Sequence, residues 1–109
     1  MTDPTPCNSI EEVRANIDRI DTQIVSLLAE RGRYVKQAAR FKKTTDDVKA
    51  PQRVEQVIHK VKVMSVQSGA NAVVTERVYR AMIAAFVETE LAEHASLKCL
   101  EPDISGSKT

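Results

Sequence analysis

The sequence contains no tryptophan and only two phenylalanines and two tyrosines, so aromatic residues make up just 4% of it. Three glycines in 109 residues leave few positions for the tight turns that β-sandwiches and barrels need. Both scarcities argue against a large β-rich architecture. Uncompensated charge is missing too. Sixteen Lys and Arg stand against fifteen Asp and Glu, for a formal net charge of +1. Non-specific binding of nucleic acid rests on many unpaired cations, so no nucleic-acid partner is expected. No window approaches the roughly 18 apolar residues of a membrane span. The opening MTDPTPCNS is polar and lacks the basic-then-apolar order of a secretory signal, which makes a cytoplasmic protein with no membrane partner the expectation. Cys7 and Cys99 lie in opposite flanking regions without ligand-like spacing. They read as free thiols of a reducing compartment, with a terminal disulfide as the alternative. His59 and His94 have no Cys or carboxylate at metal-ligand spacing, so no metal is expected and both read as surface helix residues.

What is present is an ordinary folding composition, 42% apolar and 28% charged. The chain is one domain's worth of sequence, expected over 8–98 with flexible tails at 1–7 and 99–109. Ser9 followed by Glu12 reads as a capping box. Apolar residues then recur at Val13, Ile17, Ile20, Ile24 and Leu27, and again at Tyr34, Ala38 and Phe41, in alternating steps of four and three. Proline is absent from 7 through 50, so one helix is predicted from about 10 to about 43. Such a helix is roughly 50 Å long. A compact monomer of this size is only about 34 Å across. The helix therefore needs a partner chain.

The polar segment KKTTDDVKAP breaks the pattern, and Pro51 opens a second helix with Val54, Val57, Ile58, Val61 and Met64 on its apolar face. Gly69 is the expected left-handed cap. A third helix is predicted over 72–97, with Val74, Val78, Met82, Ile83, Phe86 and Leu91 facing inward. The fold class is all-α, with three helices per chain in an intertwined oligomer, most simply a dimer.

Several charges interrupt this pattern. The four-three count from Leu27 lands on Arg31 before it resumes at Tyr34. Arg31 is either a cation snorkelling from a frayed seam or the sign of a buried anion, because a desolvated cation needs a counter-charge. On one continuous helix Lys42, eleven residues on, would share its face about 16 Å away. Arg14 is too distant to join them from the same helix, but an antiparallel partner helix would bring it there. In the third helix Glu90 occupies an apolar stripe with Tyr79, Ile83 and Phe86; it is either a rim carboxylate paired with a cation or part of a site. Arg53, just past Pro51, is placed to cap charge or to reach a ligand. Together Arg14, Arg31, Lys42, Arg53 and Glu90 suit a small dianion better than a polymer.

The order of Arg14, IDRID at 17–21, Arg31, YVK, RFK ending at Lys42, APQRV with Arg53, and Glu90 resembles the all-helical chorismate mutase family. The resemblance covers roughly 7–97 and is greatest toward the isochorismate pyruvate lyases of bacterial salicylate synthesis. It implies an intertwined homodimer that uses no cofactor and takes a small enolpyruvyl dicarboxylate, either chorismate or isochorismate. It further implies that Arg31 and Arg14 from the other chain clamp the carboxylates, with support from Arg53. Lys42 and Glu90 would then address the ether oxygen. Chorismate mutase activity is the first expectation and isochorismate pyruvate lyase activity the alternative. A non-catalytic coiled-coil module is the rival of another class, and it requires Arg31, Lys42 and Glu90 to be exposed. Two departures matter. Typical bacterial mutases carry Gln where this chain has Glu90, whereas fungal ones carry Glu. Val54 stands where mutases place a Glu that receives the ring hydroxyl, and Ala50 and Phe86 also replace polar positions.

Overall fold

The computed structural model describes Pro4 and residues 6–100, with the backbone alone from 97 to 100. The described residues form four helices and no strand: α1 (Ile10–Ala39), α2 (Thr45–Lys49), α3 (Pro51–Ser68) and α4 (Ala72–Leu100). The expected tail from 101 onward and the Cys99 side chain lie outside the described residues. Two compact units are distinguishable, residues 1–34 and residues 35–109.

In the first unit, the Ser9 hydroxyl accepts the Glu12 amide at 3.1 Å, and Glu12 Oε2 accepts the Asn8 amide at 2.8 Å. The predicted capping box is thus present but shifted, its return bond landing one residue earlier than Ser9. Glu11 and Glu12 also place negative charge at the positive end of the helix dipole. Cys7 is half-buried, and its Sγ accepts a hydrogen bond from Asn16 Nδ2 at 3.7 Å. The periodic residues Val13, Ile17, Ile20, Ile24 and Leu27 remain 37–63% exposed in the single chain. Apolar side chains at helical spacing on one stripe need a cover.

In the second unit α4 packs against α3 and α2. Ala39, Val48, Ile58, Val61 and Ile83 are buried there. Met64, Val74 and Val78, expected to face inward, are instead 47–56% exposed. Periodicity had correctly marked them as an apolar face, but α3 and α4 do not cover that face for each other. Across the outer surface of this pair, Arg80 donates twice to Glu55 at 2.9 and 3.0 Å and once to Glu76 at 2.9 Å. Lys62 also reaches Glu76, at 3.1 Å. Hydrogen bonds from Arg80 hold both carboxyls below their ordinary value. The stabilisation they give is present above that value and fades as the pH falls through the lowered one.

The first helix ends at Ala39, not at 43 as expected. Its last turn tightens, with the amides of Arg40, Phe41 and Lys42 bonding three residues back at 3.0–3.4 Å. Immediately beyond, Thr44 accepts the Asp47 amide at 3.1 Å while Asp47 Oδ2 accepts the amides of Thr44 at 3.2 Å and Lys43 at 3.1 Å. This capping box offers those amides a local partner that competes with continued helix, and it starts α2, an element the sequence reading missed. The three-turn face-sharing argument for Arg31 and Lys42 therefore fails, because Lys42 is not helical.

Ala50 closes α2 and precedes α3 in the left-handed region, at φ 35° and ψ 62°. Gly69 closes α3 as expected, at φ 76°, and the Ala70 amide returns to the Ser65 carbonyl at 2.8 Å. A Cβ at a positive φ carries a steric cost that glycine avoids. Ala50→Gly should therefore raise the unfolding free energy by about 0.5–1 kcal/mol after the extra freedom of the unfolded chain is subtracted. Urea midpoints would read this, and a lowered midpoint would contradict it.

Candidate active site

The turn between α1 and α2 carries Lys42 toward α4, where Glu90 waits. Lys42 Nζ donates to Glu90 Oε2 at 2.8 Å. Glu90 is 7% exposed, while the Lys42 side chain keeps 27% of its accessibility. The acid is thus buried, not a rim residue, and its cation stands at the edge of solvent. A charge-assisted bond in such a place fixes both groups more firmly than a surface pair would.

His94 is not the surface residue that the sequence suggests. It is 6% exposed, with Nε2 2.7 Å from the Lys42 carbonyl oxygen. A carbonyl oxygen only accepts, so Nε2 carries the proton. Glu90 and His94 are four residues apart on α4 and share a face. One takes the side chain of Lys42 and the other its main chain. The available signal was the stripe Ile83, Phe86, Glu90 continued by one more turn. Asp47 was missed as well. It holds the amide of Lys43, so the peptide unit linking Lys42 and Lys43 is bonded at its oxygen by His94 and at its N–H by Asp47.

The arginines are placed less completely. Arg53 is exposed in the first turn of α3, where the helix dipole adds positive potential and the turn itself carries no acid. Arg14 is exposed on α1, and Arg31 on the same helix is half-buried. The structure thus brings Lys42 and Glu90 together; the arginines are described only on their own helices. Val54 and Phe86 are half-buried. Among the described residues no His, Cys, Asp and Glu side chains gather into a metal-sized group, and no helix is long and apolar enough to cross a membrane.

Two comparisons bear on this arrangement. A family model described as chorismate mutase type II matches residues 13–91. An isochorismate pyruvate lyase from Pseudomonas aeruginosa is 31% identical over 91 residues, which cover 84% of this chain and 90% of that protein.

Proposed function

Since the chain belongs to the chorismate mutase type II family, we propose that it rearranges chorismate to prephenate in a helical domain spanning 8–98, without a cofactor. The observation that carries this reading is the ammonium of Lys42 held 2.8 Å from a buried acid. Rearrangement breaks an ether C–O bond while a C–C bond forms, and no nucleophile is needed. An enzyme accelerates it by holding the flexible dianion in its folded, reactive conformer. It also stabilises negative charge growing on the ether oxygen with donors already in place. In this proposal Lys42 is the donor, Glu90 adds a second when protonated, and Arg31, Arg53 and the partner's Arg14 grip the two carboxylates with forked geometry.

The partner enters because α1 leaves Ile17, Ile20, Ile24 and Leu27 uncovered, as do α3 at Met64 and α4 at Val74 and Val78. A homodimer with antiparallel first helices gives these faces a cover and delivers Arg14 across the interface. The non-catalytic rival required exposed Lys42 and Glu90, and the buried acid with its paired lysine speaks against it.

A second reading, isochorismate cleavage to salicylate and pyruvate, is favoured by Val54. Chorismate's ring hydroxyl finds no carboxylate at that position, whereas isochorismate carries its hydroxyl elsewhere on the ring. The lyase moves a ring hydrogen to the enolpyruvyl carbon as the same ether bond breaks, so one pocket that enforces the folded conformer serves both reactions. The deciding experiment gives each substrate separately to folded protein and measures prephenate, salicylate and pyruvate. No product from either would reject the enzyme assignment.

Glu90 makes the pH dependence specific. Glu90 Oε2 lies 2.8 Å from Lys42 Nζ, and an ionised carboxylate only accepts, so Glu90 donates to the ether oxygen only in its protonated form. Turnover should therefore fall as the pH rises, and Glu90→Gln should flatten the profile because an amide donates at any pH. A Gln variant that keeps the native pH profile would refute this role.

A further inference from the structure

We infer that His94 is a positioning residue for Lys42, acting through the main chain. The inference rests on the reading of Lys42 as the ether-oxygen donor. Its own ground is that the Lys42–Lys43 peptide unit is gripped from both sides. His94 Nε2 donates to its oxygen at 2.7 Å, and Asp47 Oδ2 accepts its N–H at 3.1 Å.

Lys42 lies outside regular helix, in the stretch between Ala39 and Thr45. A lysine there has four side-chain torsions, and its amide is held only by a long 3.4 Å bond to the Ala39 carbonyl. Glu90 alone would hold the ammonium by a single 2.8 Å bond, and that bond is the one an incoming substrate must share. The main-chain grip is independent of it. When the ether oxygen takes the place of Glu90 Oε2, the Cα of Lys42 stays where His94 and Asp47 fix it. The ammonium then needs no search to find the oxygen. Donors that need no reorganisation during reaction are what electrostatic stabilisation requires.

Burial places the two side chains side by side. His94 is 6% exposed and Glu90 7%, on one face of α4 at i and i+4. The imidazole thus reads the backbone of the same residue whose amine Glu90 reads. Because Nε2–H donates in the neutral ring and in the imidazolium alike, the bond does not depend on the charge of His94.

Reach distinguishes this from packing. A Gln amide nitrogen extends to about the place of Nε2, whereas the Asn amide stops near Nδ1. Both are polar and similarly accommodated, so they separate donor position from burial. His94→Asn and His94→Leu should lower kcat by about 10–100-fold with KM within about 3-fold, and His94→Gln should restore most of the loss. The Lys42 carbonyl 13C shift, read in labelled protein without substrate, should move in the Asn and Leu variants and return in the Gln variant. Equal kcat for Asn and Gln in folded protein would overturn the inference. So would a carbonyl shift indifferent to His94, or one that moves while kcat does not. Should the wild-type protein turn over neither substrate, the reaction assignment fails by itself. The carbonyl shift then decides whether His94 holds Lys42. Leu and Asn are separate routes to the same loss, so a variant that does not fold leaves the other to decide.

Discussion

Replacing Lys42 by Ala should lower kcat for ether cleavage by about 10²–10³-fold, with a much smaller effect on KM. That is the usual loss when one preorganised donor to a developing oxyanion is removed. The ammonium meets its full charge partner only as the C–O bond lengthens, so the interaction grows between ground state and transition state. Such an interaction changes kcat more than affinity. Arg in place of Lys42 should not rescue. Its fork is longer and planar, and it would have to pass the single oxygen at which Lys42 now points. Stability must be separated from chemistry, because Lys42→Ala leaves the buried Glu90 carboxylate without its cation. An unsatisfied buried group costs about 1–3 kcal/mol. The double variant Lys42→Ala with Glu90→Gln removes that unpaired charge and should melt closer to the native protein while staying as slow. Stopped assays and circular dichroism on the same samples would measure both. A double variant that recovered native turnover would remove Lys42 from the mechanism.

Much of the arrangement around Lys42 is legible in the sequence, and the failures have physical causes. The four-three apolar spacing located α1, Pro51 opened α3, and Gly69 closed it. Glu90 stood out because an acid occupied an apolar stripe. The end of α1 was misjudged because nothing in RFKKTTDD is a strong breaker. The helix stops where Asp47 outcompetes it for the amides of Lys43 and Thr44, a balance of local bonds that periodicity does not register. His94 was misjudged for a different reason. Its burial comes from the turn folded over α4, and only the tertiary position of the Lys42 carbonyl explains it. Met64, Val74 and Val78 show the remaining limit. Periodicity identifies an apolar face but not what covers it.

That cover leads to the second large effect. If Arg14 serves the site of the other protomer, Arg14→Ala should reduce kcat/KM by about 10²-fold or more, as should Lys42→Ala, yet the two inactive proteins should complement each other. In a mixed dimer one site receives both substitutions. The other receives an intact Arg14 from the Lys42 variant and an intact Lys42 from the Arg14 variant. Equal mixing by unfolding and refolding makes half the dimers mixed, and half their sites are native. The mixture should therefore regain about one quarter of native activity. If Arg14 and Lys42 belonged to one chain's site, every mixed dimer would carry a defect in each of its sites and no activity would return. Complementation also distinguishes a role in substrate binding from a role in dimer formation. An Arg14 variant that failed to dimerise would run as a smaller species and could not donate its Lys42 to a shared site. If the uncovered stripe along α1 is what holds the proposed dimer together, dimers should persist in Arg14→Ala, because Arg14 would then supply charge and not association. Sedimentation of the variant alone, followed by the mixing assay, tests the two functions of α1 one after the other.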